Sequence, residues 1–239
     1  MFGFFYFDWT LIIVVPAFLF TLWAQYRVQS SYKKYSAVPL SHVMTGAAVA
    51  RRILDANGLS DVPIQIVRGH LSDHYDPRSR VLRLSEAVYH GSNVAAVGVA
   101  AHEAGHALQH GKGYLPLRFR MAIIPVCNIG SNIAMPLFII GLFTAGLSQL
   151  SDWLMLAGIA AFSLSVFFQL VTLPVEFNAS RRAMRCLEGS GTMTDEQLRG
   201  SRRVLRAAAM TYVAALAVGL LSLLRLLLIA ASASNSRRR

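Results

Sequence analysis

Four stretches of this chain are long and nearly free of charge: Trp9–Gln25, Met121–Leu147, Trp153–Leu173 and Ala207–Ala231, the last broken only by Arg225. Each is long enough, as a helix, to cover a bilayer core of about 30 Å. Between the runs, enough sequence remains for one small polar domain. The chain therefore reads as a membrane protein with about four transmembrane helices. Trp9, Trp23 and Tyr26 suit the two ends of the first run, where amphipathic rings sit at the headgroups. No Lys or Arg precedes that run and no A-x-A pattern follows it, so it reads as an uncleaved anchor.

The charge pattern orients the spans. The net charge is +11. Its cations fall mostly in two blocks, Arg27 to Arg120 and Arg181 to Arg206, both between apolar runs. Segments before Trp9 and from Ser148 to Asp152 carry only Asp8 and Asp152. Lys and Arg are retained on the cytoplasmic side. Both basic links are thus expected in the cytoplasm, with the N-terminus and the 148–152 link outside. The tail Arg237-Arg238-Arg239 runs against this: either it is outvoted, or the last run does not fully cross. Nucleic acid is not an expected partner, because no basic-aromatic module accompanies the charge. Cys127 and Cys186 form no disulfide framework or cysteine-zinc pattern.

The link from Arg27 to Arg120 is long enough to fold by itself. Thr45 is placed to cap a helix running to Asn57, stopped by Gly58. Ile64–Val67 reads as a strand, and Asp73–Leu84 as a hairpin turned at Pro77-Arg78-Ser79. Ser92 and Asn93 offer an N-cap for a helix from Val94 to His110, ended by Gly111. The expected fold is mainly α: membrane helices plus a small α+β cytoplasmic domain. The divisions are an anchor at 1–26, a cytoplasmic region at 27–120 that holds the Val94 helix, a transmembrane hairpin at 121–173, a cytoplasmic segment at 174–206, and a last helix with its basic tail at 207–239.

The Val94 helix carries His102-Glu103-Ala104-Gly105-His106, an HExxH pattern. Histidines four apart lie on one helix face, so both rings can meet one tetrahedral ion. Glu103 then reaches a water on that ion and serves as general base. The rest of the helix is VAAVGVAA and AL, in which two imidazoles and a carboxylate are costly unless paired or ligated. The pattern points to one zinc per chain and to peptide hydrolysis. A third protein ligand is required. The candidate is Glu176, just past the end of the third run on the same expected side. Its alternatives are an ion pair with Arg181 or Arg182, or solvation. Asp195 and Glu196 are weaker rivals, since Thr194 and Gln197 mark the first turn of an ordinary capped helix.

HEAGH together with the EFNAS segment, Glu176 to Ser180, resembles the YugP-like bacterial membrane zinc metallopeptidases. Further similarity lies in FYFD (5–8), GHLSDHYDP (69–77), PVEFNASRRA (174–183) and Met210–Ala215. The resemblance implies a multi-pass gluzincin with His102, His106 and Glu176 as zinc ligands and Glu103 as base, in the plasma (inner) membrane of a bacterium. Distantly similar membrane peptidases of the HtpX and CAAX-processing type have Asp four residues after the ligand Glu, holding a zinc histidine. This chain has Ser180 there, a weaker orienter.

Other residues keep two readings. His70, His74 and His110 are rival ligands, and His110 also suits a helix C-terminus. His74 and Tyr75 lie on the hairpin, which can bind a substrate backbone by strand addition or be purely structural. Tyr212 can donate to an oxyanion or anchor the interface. Arg225 either pairs with a carboxylate or snorkels. Expected partners are the lipid bilayer and peptide or membrane-protein substrates. The competing classes are an intramembrane site-2-type protease, for which the LDG-like motif is missing, a non-catalytic metal-binding membrane protein, and an assembly factor.

Overall fold

The computed structural model describes residues 9–40 and 44–236. FYFD with Asp8, and the tail Arg237–Arg239, lie outside the described residues. The elements run α1 (Leu11–Ser36), α2 (Gly46–Asp55), β1 (Ile64–Val67), β2 (His74–Asp76), β3 (Val81–Ser85), α3 (Glu86–Tyr89), α4 (Val94–Gly111), α5 (Leu115–Phe143), α6 (Gln149–Ser190) and α7 (Asp195–Ser236). Among the described residues, α1, α5, α6 and α7 are long and apolar enough to cross a membrane.

These four helices do not stop where the apolar runs stop. α1 continues from Gln25 to Ser36, and α6 passes through Pro174 to Ser190. Polarity marks where a helix leaves the bilayer, whereas its end is set by caps and turns. Pro174 removes one backbone donor and bends a helix more often than it ends one. The fourth apolar run and the capped segment before it are likewise one helix. Thr194 and Gln197 form the reciprocal box at its start: Gln197 N–H donates to Thr194 Oγ1 at 3.3 Å, and Thr194 N–H to Gln197 Oε1 at 2.9 Å.

The chain forms two compact units. Among the described residues, one comprises 9–23, Arg120–Val171 and 212–236. Its core joins Phe138, Met155, Ile159 and Leu226, from α5, α6 and α7. Backbones come close there because side chains are missing: a Cβ on Gly158 would stand 2.7 Å from Phe138 N. Arg225, inside the last run, donates from Nε to Thr10 Oγ1 at 3.1 Å. Leu11, Phe18, Phe143 and Trp153 turn outward, as lipid-facing side chains do.

The other unit comprises Ala24–Phe119 and Thr172–Thr211. α4 runs through its centre. Ala100, Ala101 and Ala104 of α4 pack with Ile53 and Leu54 of α2, Leu82 and Leu84 of β3, and Leu187 of α6. Both expected N-caps form: Thr45 Oγ1 accepts from Ala48 N–H at 3.2 Å, and Asn93 Oδ1 from Ala96 N–H at 2.9 Å. α4 includes Gly111, and the left-handed residue that follows is Gly113, at φ +62°.

The sheet has the order β1-β3-β2, with β1 parallel and β2 antiparallel to β3. β2 is therefore an edge. The expected hairpin forms around Asp76, whose carboxylate accepts from Arg78 N–H at 2.9 Å and Ser79 Oγ at 2.6 Å. These bonds, led by that from Ser79, hold the Asp76 carboxyl below the usual carboxylate range. Asp73 ties the start of the hairpin to the end of β3 by accepting from Ser85 N–H at 2.7 Å.

Candidate metal centre

α4 presents His102 and His106 one turn apart, their rings edge to face with centroids 4.8 Å apart. Glu176 of α6 comes to the same place. Its Oε2 lies 3.3 Å from His102 Nε2 and 3.5 Å from His106 Nε2. Among the described residues, these three form a group of candidate metal ligands, with one donor atom each and all three within 4.8 Å of one another. Glu176 is only 3% exposed.

The approach of α6 to α4 depends on Gly105. A Cβ there would stand 2.5 Å from the Ala179 carbonyl oxygen. No side chain fits in that space, so HEAGH tolerates only glycine at its fourth position without moving α6. Ala179, fully buried, supplies the small partner surface.

Each histidine is held on its far side. Ser180 Oγ meets His102 Nδ1 at 3.1 Å. His106 Nδ1 meets Gln109 Oε1 at 3.0 Å. The Gln109 amide donates in turn to Val175 O at 2.8 Å and to Asn178 Oδ1 at 3.0 Å. Arg182 Nε donates to the same Asn178 oxygen at 2.7 Å, and its guanidinium lies over the Tyr114 ring at 5.7 Å. With Nδ1 so engaged, both rings direct Nε2 at Glu176. The set of two imidazoles and one carboxylate fits a zinc ion that keeps a fourth position open.

Glu103 is 8% exposed and receives the Tyr75 backbone N–H at 3.0 Å from the edge strand β2. Burial raises its carboxyl to about 7; the His102 ring lowers it, Glu176 and Asp73 add to the rise, and the Tyr75 amide opposes it. A group poised near 7 can both take and return a proton at neutral pH.

The other predicted residues separate cleanly. Tyr75 belongs to the site through its amide, and its hydroxyl meets His110 Nδ1 at 2.9 Å. His110 is thus engaged away from the ligand group. His74 Nδ1 meets Ser72 O at 2.8 Å, and His70 stacks edge-on against Tyr32. Tyr212 lies on α7 in the first unit. The sequence reading missed Gln109 and Asn178. A carboxamide in a helix has no spacing signature. The available signal was cost, since Gln109 is a polar residue near the end of a largely apolar helix.

A family model described as "Putative neutral zinc metallopeptidase" matches residues 10–231. The chain is 49% identical over 219 residues to the "Putative membrane protease YugP" of Bacillus subtilis (strain 168), covering 92% of this chain and 95% of that protein. No solved structure matches the chain.

Proposed function

The chain belongs to the YugP-like family of zinc metallopeptidases, and from that premise we propose that it is a membrane-embedded, zinc-dependent endopeptidase. The observation that carries the reading is the convergence of His102, His106 and Glu176 beside the buried Glu103 carboxylate. One zinc per chain, bound there, would supply Lewis acidity toward a water and a scissile carbonyl. Glu103 takes the proton of the attacking water and returns it to the departing amine. The Tyr75 amide holds Oε2 of Glu103, which leaves the other oxygen for that exchange. Ser180 and Gln109 keep the two imidazoles turned. β2, the edge strand that carries His74 and Tyr75, is assigned to the substrate backbone by strand addition. Substrates are then peptide segments in extended form, from membrane proteins or released from them.

The test is metal removal. Full-length protein purified in detergent loses hydrolysis of a casein-like substrate when stripped by a zinc chelator, and regains it on adding zinc. Full activity in stripped protein with no residual zinc would overturn the reading.

The site is further proposed to face the cytoplasm of a bacterial cell, with 27–120 and 174–206 as its peptidase region, because those links hold the Lys and Arg. A single cysteine placed at the exposed Glu86 should resist an impermeant thiol reagent in intact cells and react after lysis. Strong labelling in intact cells reverses the orientation.

A further inference from the structure

We propose that Gln109 is a positioning residue that fixes the tautomer of His106 and locks the Glu176-bearing turn of α6 to the same point. The inference rests on the zinc reading above and concerns how this chain prepares the site.

Gln109 has no exposed surface. A buried carboxamide is costly unless its one acceptor and two donors are used. Here they are all used. The orientation of the amide follows from its partners. Val175 O can only accept, so the Gln109 atom 2.8 Å from it must be the NH2 group. The second donor meets Asn178 Oδ1, whose own orientation is set by the Arg182 Nε donor at 2.7 Å. The carbonyl oxygen of Gln109 is then left for His106 Nδ1 at 3.0 Å. A carbonyl oxygen cannot donate. Nδ1 must therefore carry the hydrogen, and in a neutral ring Nε2 carries the lone pair. That is the nitrogen turned toward Glu176 Oε2.

His102 is held differently. Its partner is the Ser180 hydroxyl, which can donate or accept and so imposes no tautomer by itself. Only His106 has its proton assigned by a chain of fixed partners. That chain ends on Val175, the neighbour of Glu176. One side chain therefore prepares two ligands from two helices.

The experiment uses the full chain in detergent and measures zinc affinity by chelator competition, with the unfolding temperature of the metal-free protein alongside. Gln109→Met fills the space and removes every hydrogen bond. It should weaken zinc binding about 10–100-fold, with metal-free unfolding little changed. Gln109→Glu keeps an oxygen that accepts from His106 Nδ1. It should bind zinc more tightly than Gln109→Met. The proposal is overturned if Gln109→Met binds zinc like the parent, or if both variants weaken binding equally and lower the metal-free unfolding temperature together. His106→Ala separates the two readings. If the parent binds no zinc and His106→Ala changes nothing, the metal reading itself fails. If His106→Ala abolishes binding while Gln109→Met does not disturb it, this inference alone fails.

Discussion

Glu103→Gln is expected to leave fold and zinc content intact while lowering kcat/KM by about 10²–10⁴-fold, the range a positioned general base contributes. The substitution keeps size and shape. A carboxamide oxygen can still accept the Tyr75 amide, which the carboxylate does at 3.0 Å. Glu103 is not among the grouped ligand residues, so its loss should not release metal. What disappears is the ability to take a proton from water. Glu176 does not replace it, since its carboxylate is turned to the two histidines. The check is zinc stoichiometry and peptide hydrolysis on the same preparation. Hydrolysis at the parent rate would place the base elsewhere.

Glu176→Ala should remove zinc affinity and activity together. The loss should exceed the roughly 10–100-fold that follows from losing an outer hydrogen-bond partner, because a ligand atom itself is gone. Two neutral imidazoles then remain on one helix with no anion to complete the set. Asp195→Ala is the comparison: Asp195 is exposed in the first turn of α7, and its removal should change neither quantity. His74→Ala should also retain zinc, since its ring is turned to Ser72 O. Chelator competition on the three variants decides the matter. Parent-like zinc affinity in the Glu176 variant, together with loss in the His74 variant, would sink the assignment.

The parts of this molecule that were legible in the sequence are those whose cost is local. HEAGH stood out because imidazoles and a carboxylate are expensive in an apolar helix. Thr45, Asn93 and the Thr194–Gln197 box were readable because a cap is satisfied within a few residues. The hairpin at Pro77-Arg78-Ser79 was readable from its turn residues for the same reason. Helix lengths were not. Hydropathy reports the solvent a residue suits, and α6 and α7 pass between apolar and polar sequence without breaking. The short α3 carried too few residues to show a period. Gln109 and Asn178 escaped because their purpose lies across a helix–helix contact, between residues about seventy apart in sequence.

The contact of Gly105 with the Ala179 carbonyl also determines how a bound ion could leave. Two main chains already in touch cannot approach further; they can only slide or part. Both histidines ride on one of them, and the carboxylate rides on the other. The rings are pinned from behind by Ser180 and Gln109, so a ligand swinging out alone must first break a hydrogen bond. With both rings held, an ion bound there would be released by parting α4 from α6, an opening that also breaks the Gln109–Val175 bond.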